Sequence, residues 1–137
     1  MSYIASDPGS YKGQVVGDGQ CVAYVKASAG APVTSKWAEG AKVKGGDIQT
    51  GTAIATFQNG KYTNDTGGKS HAAIYVSQDD DGLLVWDQWT GQPVHQRTIT
   101  FANGTKPPRN DGDAFNVIET ASLFRQILNL IQGLFSR

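Results

Sequence analysis

Gly17–Val25 reads GDGQCVAYV and contains the only cysteine of the chain. A glycine-rich turn leads into a segment that favours a helix, so Cys21 is predicted in the first helical turn. The first turn carries unpaired backbone N–H groups and a partial positive charge, and both stabilise an anion. A thiol there ionises more easily than a free cysteine. The residues alone leave two interpretations open: a thiolate nucleophile, or a small buried hydrophobic side chain.

The helix predicted from this stretch runs from about Gln20 to Ala29. Val22 and Val25 recur with Ala29 at helical spacing, and they are expected to form its buried face. Gly30 is expected to end the helix.

Downstream of the helix, alternating hydrophobic residues predict four strands bounded by glycine- and aspartate-rich turns. The predicted strands are Thr52–Phe57, His71–Val76, Leu83–Asp87 and Val94–Ile99. The Asp79–Gly82 turn is expected to join the second and third of them into a hairpin. The chain contains 17 glycines, which favour turns and short strands over a helical bundle.

The end of the chain has the longest periodic segment. Apolar residues alternate in steps of three and four from about Phe115 to Phe135, which predicts a C-terminal amphipathic helix. Arg125 and Asn129 interrupt the apolar face, so the helix is expected to pack on the domain or a partner rather than to span a membrane. It has little basic charge to support attachment to a membrane surface. One domain is predicted over residues 1–137, with its core at about residues 13–113 and the helix at about residues 115–135.

Composition excludes several classes of function. The chain has 12 basic and 12 acidic residues without a dense basic cluster, so no nucleic-acid partner is expected. One cysteine and two distant histidines do not have the spacing of a zinc site, and no phosphate-binding or dinucleotide motif occurs. No metal and no cofactor are therefore predicted. Met1–Pro8 lacks the basic start and apolar run of a signal peptide, so synthesis in the cytoplasm without a classical signal is expected.

A cysteine nucleophile needs a base and a polar group that orients this base. His71 opens one predicted strand, and Asp87 ends the next strand of the same hairpin. The start of one strand lies opposite the end of the next in a tight hairpin, so His71 and Asp87 are predicted neighbours. The carboxylate would accept a proton from one ring nitrogen and direct the other nitrogen towards Cys21.

Two alternatives to this arrangement remain open. His95, in the last predicted strand, is the competing base. Gln88 is an alternative orienting group, although its side chain is expected on the face of the strand opposite to that of Asp87.

Acyl transfer also needs hydrogen-bond donors for a developing oxyanion. The backbone N–H of Cys21 is the natural first donor, and the second would come from Gln14, Asp18 or Gln20. Trp37, in an expected helical turn at residues 34–39, is a candidate for the cleft wall or for the core. The residues predicted to contact substrate are Gln20, Trp37 and Gln88.

These motifs together resemble those of the CHAP domains (cysteine, histidine-dependent amidohydrolases/peptidases) and of the related NlpC-type cell-wall peptidases. Gly19–Val25 resembles their cysteine motif, and Gly51–Phe57 is similar to their first core strand. Ser70–Tyr75 resembles their histidine strand, and Val85–Asp87 the strand that bears the third polar residue. The resemblance covers about residues 13–100. It departs from the family in two places, since CHAP domains often have Glu or Asn as the third residue and Gly in place of Ser70.

The resemblance implies an α+β papain-like fold of the NlpC/CHAP type, with an N-terminal helix carrying the cysteine packed on an antiparallel sheet. The implied reaction is hydrolysis of an amide bond in the stem peptide or cross-link of peptidoglycan through a thioester. Carried over to this chain, Cys21 is the nucleophile, His71 the base and later the acid, and Asp87 the orienting residue.

Small size, no signal peptide and no appended wall-binding module resemble the amidase effectors that bacteria inject through type VI secretion. An effector of this kind implies peptidoglycan peptides as substrate, action in the cell wall or periplasm of a target cell, and a cognate immunity protein as partner. A phage endolysin is the alternative setting. Two other functions stay open: a non-catalytic binding module on a degenerate hydrolase fold, and a related cysteine acyltransferase or deamidase.

Overall fold

A computed structural model describes residues 2–120 and residue 131. In these residues one helix, α1 (Cys21–Ala29), packs against a six-stranded antiparallel sheet. The strands are β1 (Trp37–Lys42), β2 (Ala53–Thr56), β3 (Ala72–Gln78), β4 (Gly82–Trp89), β5 (Gln92–Thr100) and β6 (Phe115–Thr120). Their order across the sheet is β1-β6-β2-β3-β4-β5. The predicted α+β fold class is confirmed.

The start and end of α1 follow from the local sequence. Gln20 has extended backbone geometry and forms the N-cap, so Cys21 is the first helical residue. Gly30 ends the helix in the left-handed region at φ 72°, and its N–H donates to the Lys26 carbonyl at 3.0 Å. Tyr24 is buried beneath the helix, where its hydroxyl donates to the Pro8 carbonyl at 2.9 Å. This packing fixes α1, and therefore Cys21, against the sheet.

Both faces of the sheet are covered. Alternate residues of the central strands point to opposite sides, as strand geometry requires. The core under α1 contains Tyr24, Val25, Ala53, Ala55, Ala72, Ile74 and Ile118. The core on the other face contains Val43, Ile54, Ala73, Tyr75, Leu83, Val85, Ile99, Phe115 and Val117. The sheet is therefore a rigid middle layer, and side chains at its ends are held in fixed positions.

The four strands predicted from alternation form β2, β3, β4 and β5. Consecutive pairs are antiparallel, and the turn after β3 closes with a hydrogen bond from Asp79 N–H to the Gly82 carbonyl at 3.2 Å. His71 lies directly before β3, and Asp87 lies near the end of β4, opposite His95 of β5. The hairpin therefore places both ionisable side chains at one end of the sheet, as predicted.

The predicted C-terminal helix is wrong over its first six residues. Phe115–Thr120 forms β6, which pairs with β1 on one side and with β2 on the other. Phe115 and Val117 face one core, and Ile118 faces the other. This alternation is that of a strand with both faces buried, once β1 and β2 pair with it. The remainder of the predicted helix lies outside the described residues, except for residue 131.

Two further boundaries differ from expectation. Of the helical turn expected at residues 34–39, the part Thr34–Lys36 is helical and has the 3-10 type. Trp37 is the first residue of β1. The core also extends beyond the expected residues 13–113, since Ser2 and Ile4 pair with Glu119 and Thr52. Among the residues that the structure describes, no helix has the length and apolar character needed to cross a membrane.

Candidate active site

Cys21, His71 and Asp87 meet at the end of the sheet that faces the start of α1. His71 Nε2 donates to Asp87 Oδ2 at 2.7 Å, and the interaction with His71 lowers the pKa of the Cys21 thiol. His71 and Asp87 are buried, whereas Cys21 is half-buried at the wall of a pocket. The structure thus brings together the three residues that the sequence predicts as catalytic.

The backbone around His71 is held by a buried threonine of the neighbouring strand. The Thr56 hydroxyl accepts from the His71 N–H at 3.0 Å and donates to the Lys69 carbonyl at 2.8 Å. The Thr56 N–H in turn donates to the His71 carbonyl at 3.0 Å. These bonds fix the backbone of His71 independently of the contacts that its imidazole makes with Cys21 and Asp87.

Gln88 positions the turn before Cys21, on the other face of β4 from Asp87. Its side chain is fully buried; Oε1 accepts from the Val16 N–H at 2.9 Å, and Nε2 donates to the Val16 and Gln20 carbonyls at 2.8 Å each. The prediction that Gln88 contacts substrate or orients the base is therefore wrong. All the polar atoms of this amide are committed to the backbone that leads into α1.

The Cys21 thiol and the His71 imidazole each shift the pKa of the other towards its charged form. Burial alone would raise the pKa of Cys21, but the hydrogen bond and the charge of His71 lower it, with help from Tyr62 and the Ala72 N–H. Burial alone would lower the pKa of His71, but its bonds to Asp87 and Cys21 raise it to about 9. These opposite shifts favour a thiolate–imidazolium pair over the neutral thiol and imidazole.

Asp87 is approached by two basic side chains besides His71. Arg97 Nε donates to its Oδ2 at 2.8 Å, and His95 Nε2 lies 3.0 Å from Oδ1 without the alignment of a hydrogen bond. The Trp89 ring covers this cluster, with the Arg97 guanidinium 5.0 Å and the His95 ring 5.0 Å from its centroid. Burial opposes ionisation of Asp87, yet His71 and Arg97 together lower its pKa.

A pocket of about 480 Å³ opens in front of Cys21 and His71. Gln20 lines it, as predicted for a substrate contact. Trp37 does not: its side chain is buried, its Nε1 donates to the Pro32 carbonyl at 2.9 Å, and its ring packs behind Tyr62 at 4.8 Å. The prediction that Trp37 contacts substrate is therefore wrong.

Tyr62, Arg97 and Arg109 also line the pocket and were missed from the sequence. The Tyr62 hydroxyl lies 3.7 Å from Cys21 Sγ. Arg97 had a usable signal, because it follows His95 by two residues on the last predicted strand, which pairs with the strand of Asp87 in the structure. Tyr62 and Arg109 come from loops, where no sequence period indicates which way a side chain points.

Comparison with known proteins places this site in a family. The model of the family described as "Domesticated amidase effector 2" matches residues 1–118. The chain belongs to this family. It is 41% identical over 124 residues to the domesticated amidase effector 2 of Ixodes scapularis, a match that covers 83% of this chain and 82% of that protein.

Two further similarities connect the chain to type VI secretion. It is 44% identical over 71 residues to the type VI secretion amidase effector 2 protein of Salmonella typhi, covering 51% of this chain and 53% of that protein. A solved structure of type 6 secretion amidase effector 2 superimposes with a TM-score of 0.76 at 32% identity, covering 86% of this chain and 94% of that one. The predicted resemblance to amidase effectors is confirmed, and the protein is an enzyme of the amidase class.

Proposed function

We propose that the protein hydrolyses an amide bond in the peptide part of peptidoglycan, with Cys21 as nucleophile, His71 as base and acid, and Asp87 as orienting group. The observation that carries this proposal is the grouping of Cys21, His71 and Asp87 at one end of the sheet, where His71 is hydrogen-bonded to Asp87 and both Cys21 and His71 line a pocket. A non-catalytic binding module would have no need of a thiol whose pKa is lowered by a buried histidine.

In the proposed mechanism each group has one role. The Cys21 thiolate attacks the carbonyl carbon of the amide, and a tetrahedral oxyanion forms. Protonated His71 gives its Nδ1 proton to the leaving nitrogen, the C–N bond breaks, and a thioester remains. Neutral His71 then takes a proton from water as the water attacks the thioester, which releases the acid and restores the thiolate–imidazolium pair. Asp87 holds the Nε2 proton throughout and stabilises the imidazolium.

Two donors are available for the oxyanion. The Cys21 N–H belongs to the first turn of α1 and has no partner within the helix. Of the three candidates for the second donor, Gln14 donates to the Ser10 carbonyl, and the Asp18 carboxylate accepts from the Gln20 N–H at 3.0 Å. The Gln20 side-chain amide lines the pocket and makes no hydrogen bond within the described residues. Gln20 is therefore our second donor.

Family membership supports the setting of an antibacterial effector over that of a phage endolysin. An effector of this type acts in the wall of a target cell, and a cognate immunity protein would protect the cell that produces it. The open pocket, with Cys21 half-buried at its wall, is the surface that such an inhibitor would cover.

Incubation of purified peptidoglycan with the protein, followed by mass spectrometry of the fragments, tests the proposal. The wild-type protein should release fragments with a new amine and a new carboxylate at the cleaved bond, and Cys21→Ala should release none while it keeps its circular dichroism spectrum. His71→Ala should be about as inactive, because members of a catalytic unit are not additive. Unchanged cleavage by Cys21→Ala would overturn the mechanism, and a fragment that carries an added amine instead of water would indicate an acyltransferase.

A further inference from the structure

Two arginines line the pocket beside Cys21 and His71, and they differ in how their charge is used. Arg97 is committed, since it donates to Asp87 Oδ2 at 2.8 Å. The Arg109 guanidinium has no ion pair and no hydrogen bond with any residue that the structure describes. Arg109 is therefore the cation of this pocket whose charge no described residue compensates.

The backbone of Arg109 is held on both sides. Its N–H donates to the Gly68 carbonyl at 3.1 Å, and its own carbonyl accepts from the Arg97 guanidinium at 3.5 Å. Pro107 and Pro108 precede it and restrict the chain that leads to it. The Arg109 backbone is thus held by Arg97, the same side chain that hydrogen-bonds to Asp87.

The Arg109 side chain packs against Gly68 of the opposite loop. Gly68 has φ +97°, which favours glycine, and a Cβ added there would lie 3.6 Å from Arg109 Nε and 3.7 Å from Cζ. The guanidinium therefore lies over the Gly68 backbone. Asp65, another charged residue of the pocket, accepts from the Gly67 N–H and forms no ion pair with Arg109.

We propose that Arg109 binds a free carboxylate of the substrate peptide and thereby sets which amide bond reaches Cys21. This inference rests on the proposed function and adds a specificity-determining residue to it. A guanidinium presents a planar fork of N–H donors that matches a carboxylate in two parallel hydrogen bonds. A substrate carboxylate would supply the negative charge that residues 2–120 do not place beside Arg109.

Binding measured in the Cys21→Ala background tests this inference without hydrolysis. The probes are two synthetic stem-peptide dimers that differ only in having free carboxylates or carboxamides. The carboxylate peptide should bind about tenfold more tightly than the amide peptide, as expected for charge-assisted hydrogen bonds at an open site. Arg109→Gln should remove this preference, and Arg109→Lys should keep part of it, since lysine retains the charge but loses the fork.

The matched control is Lys106→Gln, which removes a cation from the same loop but outside the pocket lining. It should leave the preference unchanged. Equal binding of the two peptides to the Cys21→Ala protein, or a preference that survives Arg109→Gln, would overturn the inference. In the active protein, Arg109→Gln should raise KM about tenfold with little change in kcat. Absence of hydrolysis by the wild-type protein would instead overturn the proposed function, so the two failures are distinguishable.

Discussion

Two buried aspartates of this protein, Asp87 and Asp111, keep their charge in different ways. Asp87 lies near the end of β4, and its partners among the described residues are side chains: His71 and Arg97 at one oxygen, and His95 at the other. In the proposed mechanism His71 exchanges its Nδ1 proton with the substrate. The state of the Asp87 carboxylate is therefore coupled to the chemistry at Cys21.

Asp111 lies in the loop between β5 and β6 and is surrounded by backbone donors. Its oxygens accept from the N–H groups of Ala102 at 2.9 Å, Gly104 at 2.7 Å and Asp113 at 2.9 Å. Burial raises the pKa of Asp111, but these hydrogen bonds lower it below its usual value. Backbone N–H groups do not titrate, so this charge is constant and serves to fold the loop that carries Arg109.

The comparison teaches that burial and a low pKa do not by themselves indicate a catalytic group. Both carboxylates are buried and both have lowered pKa values. What separates them is the kind of donor, because only donors that titrate can transmit a change of protonation to the reaction. Exchanging each aspartate for asparagine tests this distinction directly.

The largest effect is expected for Asp87→Asn. An amide can hold the imidazole in place but cannot stabilise the imidazolium, and it favours the wrong tautomer of His71. We expect kcat/KM for a stem peptide to fall by about 10³- to 10⁴-fold. The matched variant Asp111→Asn should change kcat by less than threefold. Similar losses in both variants would show that the comparison is wrong.

The second prediction concerns the pH at which Cys21 becomes reactive. His71 lowers the pKa of Cys21, so alkylation by iodoacetamide should proceed at a lower pH in the wild-type protein than with a free cysteine. In Asp87→Asn the pKa of His71 falls, because the bond that raises it is weakened, and the pKa of Cys21 rises in turn. The midpoint of the alkylation profile should therefore move to higher pH in Asp87→Asn and stay unchanged in Asp111→Asn.

A smaller effect is expected for Arg97→Gln. Arg97 lowers the pKa of Asp87, so in the variant Asp87 takes up a proton at a higher pH than in the wild-type protein. The acid limb of the kcat/KM profile should move upward, with a loss of about tenfold at neutral pH. His95→Asn should cost less than threefold, since His95 is not aligned with the carboxylate. Complete loss in His95→Asn would mean that His95, not His71, is the base.

The smallest effect on activity, but a measurable effect on stability, is expected for Asp111→Asn. Loss of charge-assisted bonds to three backbone donors should lower the free energy of unfolding by about 1–3 kcal/mol, measured in urea at pH 7. The folded-state pKa of Asp111 lies below the unfolded value of 3.8, so its stabilisation is present above that value and is lost as pH falls through the folded-state pKa. The difference between wild type and variant should therefore disappear in acid.

Sequence predicted those parts of the fold whose signals are local. The turn before Cys21, the alternation of the four strands and the Asp79–Gly82 turn need no distant residue to be recognised. β1 and β6 were missed, because each becomes a strand by pairing with a segment about 80 residues away, as in the pairing of Trp37 with Thr120. Their own residues are compatible with either state.

In the candidate site, too, the sequence predicted what depends on local signals and missed what depends on distant residues. His71 and Asp87 were predicted as neighbours because both lie at the ends of strands in one hairpin. Trp37 and Gln88 were misassigned, since an indole or an amide suits a cleft wall and a core equally, and only burial in the fold decides between them. Arg109 reaches the pocket from a loop whose path depends on Asp111. No local sequence pattern indicates the path of this loop or the direction of the Arg109 side chain.

The position of β6 has a consequence for how the molecule forms. The proposed catalytic groups lie between residues 21 and 87, yet β6, from residues 115 to 120, is inserted between β1 and β2 and brings the Phe115 ring to 6.4 Å from the His71 ring. Contacts of such long sequence separation raise the contact order and slow folding. Residues 1–100 emerging from a ribosome would therefore hold every member of the triad without a closed sheet to align them. We therefore expect hydrolysis only from chains in which β6 has been inserted into the sheet.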